Sequence, residues 1–127
     1  MSKTRRRILV IDDEPLLGQT LRFAFEGQCD VVVLNAGQEA VEYLARDSNF
    51  DLILCDLMMP IFSGMKVYEA VAERQPELVD RFVFITGGAF TDAARNFLDT
   101  YAGPRLEKPF HVTDVEALLD QSSHRRL

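Results

Sequence analysis

Cysteine and histidine are scarce. There are two of each in 127 residues: Cys29 and Cys55, His111 and His124. Two cysteines without a ligand-like spacing make neither a disulfide framework nor a zinc motif, and neither histidine has a partner pattern. Cys55 lies inside an apolar run and reads as a small buried hydrophobe. A reducing compartment is the default for such a chain, and the expected location is cytoplasmic. No apolar stretch approaches the ~20 residues needed to cross a bilayer. Nothing resembles the charged and apolar regions of a secretory signal, so no membrane insertion is expected. A basic excess is also missing: 14 Lys and Arg against 20 Asp and Glu give a net charge of −6 and a pI near 4.8. That balance repels a phosphate backbone, so no direct nucleic-acid partner is expected. Arg5-Arg6-Arg7 is a weak footprint in so acidic a chain and reads as a solvated lead-in to the first strand. Repeats, linkers and low-complexity tracts are absent too. The length and the 47% apolar content imply one domain. Its core is expected over about residues 7–120, with 1–6 a basic arm and 121–127 a polar tail that frays.

What is present is an alternation. Ile8-Leu9-Val10-Ile11, Val31-Val32-Val33-Leu34, Leu52-Ile53-Leu54-Cys55 and Phe82-Val83-Phe84-Ile85 are continuous apolar runs of strand length. Such runs belong to strands buried on both faces, as in a parallel sheet. A short fifth strand is expected around Arg105-Leu106. Between them lie segments of helical spacing. The first runs from Leu16 to Gly27 with Leu17, Leu21, Ala24 and Phe25 inward. The second runs from Gln38 to Arg46 with Val41, Leu44 and Ala45 inward. The third runs from Gly64 to Gln75 with Met65, Tyr68, Val71 and Ala72 on one face, and Pro76 marks its end. The fourth runs from Thr91 to Tyr101 with Ala94, Phe97, Leu98 and Tyr101 inward, broken by Gly103-Pro104. The last carries Val112, Val115, Leu118 and Leu119 on one side. Five strands alternating with five helices through short connections predict an α/β, doubly wound, five-stranded parallel sheet, flavodoxin-like, in the order 2-1-3-4-5.

In such a sheet, ligands bind at the carboxyl ends of the strands, where the strand order reverses. The polar residues that interrupt the apolar runs fall at those ends: Asp12 and Asp13, Asp56, Thr86, and Lys108. Strands 1 and 3 are neighbours in this order, so the three aspartates converge. Two unit charges ~4–5 Å apart repel by roughly 3–4 kcal/mol at an effective dielectric near 20. A cation must offset that, or a pKa must rise. Mg²⁺ (or Mn²⁺) suits three carboxylates, being hard and oxygen-seeking. One carboxylate can then act as a nucleophile towards phosphorus. Lys108 can supply positive charge to a phosphoryl group, Thr86 a hydroxyl donor, and Gly87 an unobstructed backbone N–H. Taken singly the residues have plainer readings: Asp12-Asp13 as a helix cap, Asp56 as a turn residue, Lys108 as a solvated lysine, Met58, Met59 and Phe62 as loop packing.

Together they resemble the receiver domain of two-component response regulators, over about Arg7 to Leu119. The resemblance is carried by Ile-Leu-Val-Ile-Asp-Asp-Glu-Pro (8–15), Asp-Leu-Met-Met-Pro (56–60) with Gly64, Ile-Thr-Gly (85–87) and Lys-Pro-Phe (108–110). It implies that Asp12 and Asp13 hold Mg²⁺, with the Met58 backbone carbonyl as a further ligand. It makes Asp56 the phosphoacceptor, Thr86 and Lys108 the phosphoryl-binding pair, and the Lys108–Pro109 bond cis. The implied donor is a histidine kinase or histidine phosphotransfer protein. The implied output face is helix 4–strand 5–helix 5, with Phe90 and Arg105 on it and a homodimer as one use. One position departs: where the family usually places a Tyr or Phe, three residues before the lysine, this chain has Arg105. The loops around Thr86 and Lys108 look most like receivers attached to hybrid sensor histidine kinases.

Two other functions fit the same residues. One is a phosphatase that forms an aspartyl-phosphate and hydrolyses a small phosphoester. Such sites usually want a second Asp two residues after the nucleophile, and Met58 stands there. The other is a docking module that works without phosphorylation. Loss of an acid, Thr or Lys from the site would have pointed to it.

Overall fold

The computed structural model describes residues 5–88 and 91–125, of which 123–125 are described by backbone alone. Five strands, β1 (Arg6–Ile11), β2 (Cys29–Leu34), β3 (Leu52–Asp56), β4 (Phe82–Thr86) and β5 (Arg105–Glu107), form one sheet in the order β2-β1-β3-β4-β5. Every pairing is parallel. Four helices connect them, α1 (Pro15–Ala24), α2 (Gly37–Arg46), α3 (Gly64–Arg74) and α4 (Asp92–Thr100), and a fifth, α5 (Val112–Arg125), follows the last strand. The expected class, order and alternation are those observed.

Side-chain alternation along the strands sorts the core into two layers. Leu9, Ile11, Ile53, Cys55, Phe82 and Phe84 meet Ala40, Leu44, Val67, Val71, Ala94 and Leu98 of α2, α3 and α4. Ile8, Val10, Leu52, Leu54, Val83 and Ile85 meet Leu21, Val115 and Leu119 of α1 and α5. Residues 8–11, 52–55 and 82–85 are all buried, as continuous apolar strands require. Strand β2 differs: being at the edge, its Val31 to Leu34 are only half-buried.

Several boundaries and faces depart from expectation. Helix α1 stops at Ala24, because Phe25 is its C-cap and its ring turns into the core. In α2 it is Ala40, not Ala45, that is buried with Leu44. In α3 the fully buried positions are Val67 and Val71, with Met65, Tyr68 and Ala72 at the margin. Pro76 ends α3 but also starts a 3₁₀ turn over Pro76–Arg81 that buries Leu78. The expected polar tail begins inside α5, which continues through residue 125. Ser122 is buried, and its hydroxyl donates to the Asp51 carbonyl at 2.6 Å. Ser122→Ala should therefore cost about 1 kcal/mol by urea titration, because a buried carbonyl loses its donor. An unchanged midpoint would show that the last turn contributes nothing.

A candidate metal centre at the strand ends

The carboxyl ends of β1, β3, β4 and β5 gather Asp12, Asp13, Asp56, Thr86 and Lys108. Register does this. Ile11 lies beside Cys55, Asp56 beside Ile85, and Thr86 beside Glu107. Each chain therefore leaves the sheet at nearly the same level.

Asp12 is fully buried and tied on three sides. Its N–H donates to the Leu34 carbonyl at 3.1 Å, its carbonyl accepts from the Asn35 side chain at 2.8 Å, and its Oδ1 accepts from the Glu14 N–H at 2.8 Å. The last bond serves the start of α1, whose Glu14 cap makes no side-chain capping bond and whose first residue is Pro15. The capping reading of Asp12 thus holds for one oxygen. The other, Oδ2, accepts no hydrogen bond and has Lys108 Nζ at 3.3 Å. A buried carboxylate oxygen held by an ion pair alone, with no hydrogen bond, is costly and leaves room for a further cation.

Asp56 is 6% exposed and Asp13 is exposed. One oxygen from each of Asp12, Asp13 and Asp56 lies within 4.8 Å of the others. Burial and the neighbouring Asp12 charge push the Asp56 carboxyl up to about 6, while Lys108 and a Met58 backbone hydrogen bond pull the other way. Burial also raises Asp12, opposed by the Glu14 N–H and Lys108. Burial works against the Lys108 charge, but Asp12 and Asp56 outweigh it, so its pKa is raised and it stays protonated. Three converging oxygen donors, raised Asp12 and Asp56 carboxyls and a buried oxygen without a hydrogen bond fit a hard divalent cation.

Thr86 is 1% exposed, and its hydroxyl donates a long 3.5 Å bond to the Leu106 carbonyl. The Lys108 N–H donates to the Thr86 carbonyl at 2.8 Å, and the Lys108–Pro109 bond is cis. Gly87 is exposed at the rim. Met58 follows Asp56 in the β3–α3 loop and is 36% exposed. Arg105 is exposed on β5 beside buried Leu106, whereas Phe90 lies outside the described residues. The space beside Phe84 is filled from α3 and α4: Tyr68, Phe97 and Tyr101 pack on it with ring centroids 5.6, 5.3 and 5.0 Å away.

Two further residues shape the site. Glu14 Oε1 lies 3.5 Å from Lys108 Nζ, so it shares the lysine with Asp12. Asn35, at the end of β2, holds the Asp12 backbone. Its signal in the sequence is a polar residue directly after the apolar run Val31 to Leu34.

Fold and site define a class, a doubly wound domain with an acidic centre at its strand ends. Residues 8–120 match the response regulator receiver domain family, and the chain belongs to it. The chain is thus a receiver domain of two-component signalling, a phosphoacceptor switch. It is 31% identical over 122 residues to the transcriptional regulatory protein BtsR of Salmonella typhi, covering 94% of this chain and 49% of that protein. The chain therefore spans about half the length of the curated relatives it matches. Among solved structures it is similar to a response regulator receiver domain protein from Clostridium thermocellum, with TM-score 0.81 and 25% identity over 95% of this chain and 96% of that one. It is also similar to the non-phosphorylated HemR receiver domain of Leptospira biflexa, with TM-score 0.72 and 28% identity over 93% and 94%. No helix among the described residues is long and apolar enough to cross a membrane.

Proposed function

We propose that Asp56 is the phosphoacceptor, and that Asp12, Asp13, Asp56 and the Met58 carbonyl hold Mg²⁺ (or Mn²⁺). The observation that carries this reading is the convergence of one oxygen each from buried Asp12, Asp13 and buried Asp56 within 4.8 Å, with Lys108 Nζ 3.3 Å from Asp12 Oδ2. When bound, the cation neutralises the carboxylates and the phosphoryl oxygens. An Asp56 oxygen forms a bond to phosphorus as the P–N bond to a donor histidine breaks; the electron pair stays on the imidazole nitrogen. Lys108, poised by Asp12 and Glu14, moves its charge to the new phosphoryl group. Thr86 gives up its long bond to Leu106 and donates to it, and the Gly87 N–H adds a donor. Met58 offers no general acid where a phosphatase would need one, so the aspartyl-phosphate hydrolyses slowly and the protein acts as a switch.

The family implies a histidine kinase or phosphotransfer protein as partner. The readout proposed is the α4–β5–α5 face, where exposed Arg105 replaces the usual aromatic and a homodimer is one use. Attachment to a hybrid kinase rests on the loop resemblance alone, and the relatives' names are those of transcriptional regulatory proteins instead. A cytoplasmic location follows from the phosphodonor.

The test is intact-mass analysis after incubation with Mg²⁺ and acetyl phosphate. The wild type should gain about 80 Da, one phosphoryl group, and Asp56→Asn should gain nothing. An equal adduct on both would move the acceptor elsewhere; none on the wild type would remove the function. Rapid turnover of a phosphoester would restore the phosphatase.

A further inference from the structure

A cavity of about 360 Å³ opens at the end of the sheet opposite Asp56, beside the start of β4 and the loop into β5. None of its residues belongs to the carboxylate centre. Among the described residues its walls are mainly aromatic: Tyr68 from α3, Phe97 and Tyr101 from the last turn and cap of α4, and Phe82 from β4. The Phe97 and Tyr101 rings lie nearly parallel, 16° apart, and Tyr68 stands at 79° and 89° to them. The three rings thus form a corner, and each is only half-buried. The corner is held in place. The Tyr101 hydroxyl is shared between the Phe82 and Pro104 carbonyls at 3.0 and 3.1 Å. A Cβ on Gly103 would overlap that hydroxyl, so the absence of a side chain there lets the phenol reach across the loop.

The polar side chains on the walls all accept. Asp80 offers a carboxylate. The Tyr101 proton is taken by the two carbonyls, and the Thr100 hydroxyl donates to the Phe97 carbonyl at 3.0 Å, so both oxygens are left as acceptors. No Lys, Arg or His among the described residues lines the cavity. Arg81, next to Asp80 in sequence, reaches the Phe50 carbonyl at 2.9 Å instead. Aromatic faces beside acceptors, without a resident cation, attract a positively charged donor. The net charge of −6 adds to that attraction. The volume is that of a small-molecule site, and one Lys or Arg side chain of a partner would leave part of it empty.

We propose that this cavity binds a small amphipathic amine, its apolar body on the corner of Phe97, Tyr101 and Tyr68 and its ammonium group at Asp80. The site is separate from the carboxylate centre and does not depend on the phosphoacceptor reading.

The probe is 2-phenylethylammonium, with 2-phenylethanol and phenylacetate as neutral and anionic controls of similar size, followed by amide NMR of the whole chain. The amine should shift the Ala102 and Gly103 amides and leave Gly27 unmoved, with a Kd on the order of 0.1–1 mM. The alcohol should bind about tenfold more weakly, and phenylacetate not at all. Asp80→Asn should weaken the amine about threefold and leave the alcohol unchanged. Glu77→Gln, which removes a charge from the same 3₁₀ turn but outside the cavity, should change neither. Phe97→Leu should weaken amine and alcohol together. Asp80 is exposed, so its variant keeps the test decisive if the Phe97 change unfolds the chain. Equal binding of amine, alcohol and phenylacetate would overturn the proposal, as would no shift at about 10 mM amine. An equal loss in Asp80→Asn and Glu77→Gln would overturn it too, by reducing the attraction to overall charge. Tighter binding of N-acetylargininamide than of the amine would assign the cavity to a partner's arginine instead.

Discussion

Metal-free protein carrying Asp56→Asn should be more stable than the wild type at pH 7.5, by about 2–3 kcal/mol or roughly 6–12 °C in Tm. In the folded chain Asp56 is buried against Asp12, and its carboxyl is raised from 3.8 to about 6. The folded state therefore binds this proton more tightly than the unfolded state. Between about pH 4 and pH 6 the unfolded state holds fewer protons, so stability falls as pH rises. The stabilisation is fully present below the unfolded pKa and is lost as pH passes the folded one. Asparagine keeps the shape and has no charge to bury, so it escapes the loss. The advantage of the variant should accordingly shrink as pH falls through about 6 and be largely gone by about pH 4, where folded Asp56 is protonated and the unfolded carboxyl is nearly half so.

Millimolar Mg²⁺ should then narrow or invert the ranking. A ligand that binds only the folded state stabilises by RT ln(1 + [L]/Kd), and the wild type keeps all three carboxylates while the variant has lost one. Thermal melts from pH 4 to pH 8, with chelator and with Mg²⁺, check both halves. Wild type and variant melting together throughout would show that the carboxylates do not strain the fold, and that Asp12 Oδ2 is satisfied in some other way.

These features differ in how far the sequence discloses them. Strand ends were legible because the buried strands are unbroken apolar runs, and the first polar residue after each run is where backbone leaves the sheet. That alone placed Asp12, Asp56 and Thr86. Lys108 was placed by the bond to Pro109. Helix limits were less legible, because side-chain partners distant in sequence decide them. α5 runs on through a polar stretch because Ser122 finds the Asp51 carbonyl, 71 positions away. Ala40 and Ala45 have the same chemistry, and only the angle of α2 on the sheet decides that Ala40 goes in. The pairing of Glu14 with Lys108 joins two strand ends and has no local signature. Arg105 could be flagged as unusual, but not the packing of Tyr68, Phe97 and Tyr101 around Phe84 behind it.

The close approach of α3 to β3 carries the other large effect. By local propensity Gly64→Ala should help, since alanine in a helix is favoured over glycine by about 1 kcal/mol. The surroundings reverse the sign. A Cβ on Gly64 would overlap the Asp56 carbonyl oxygen and crowd Leu57 Cα at 2.9 Å. Those are backbone atoms, and they cannot step aside. Asp56 is paired with Ile85, the Leu57 N–H donates to the Ile85 carbonyl at 3.0 Å, and the Gly64 N–H donates to the Leu57 carbonyl at 3.0 Å. Either α3 lifts from the sheet or the end of β3 moves, and the second displaces Asp56, the proposed phosphoacceptor. Gly64→Ala should cost about 2–4 kcal/mol in urea titration. It should also slow phosphorylation by acetyl phosphate about 100-fold, since a shift near 1 Å misaligns an in-line attack. Gly27→Ala is the matched control: nothing lies within 4 Å of its Cβ position, so its midpoint should stay within about 0.5 kcal/mol. If Gly64→Ala matched that control in both stability and rate, the packing of α3 on Asp56 would not be what aims the carboxylate. A loss of rate with stability intact would mean that the strand end yields and the helix does not.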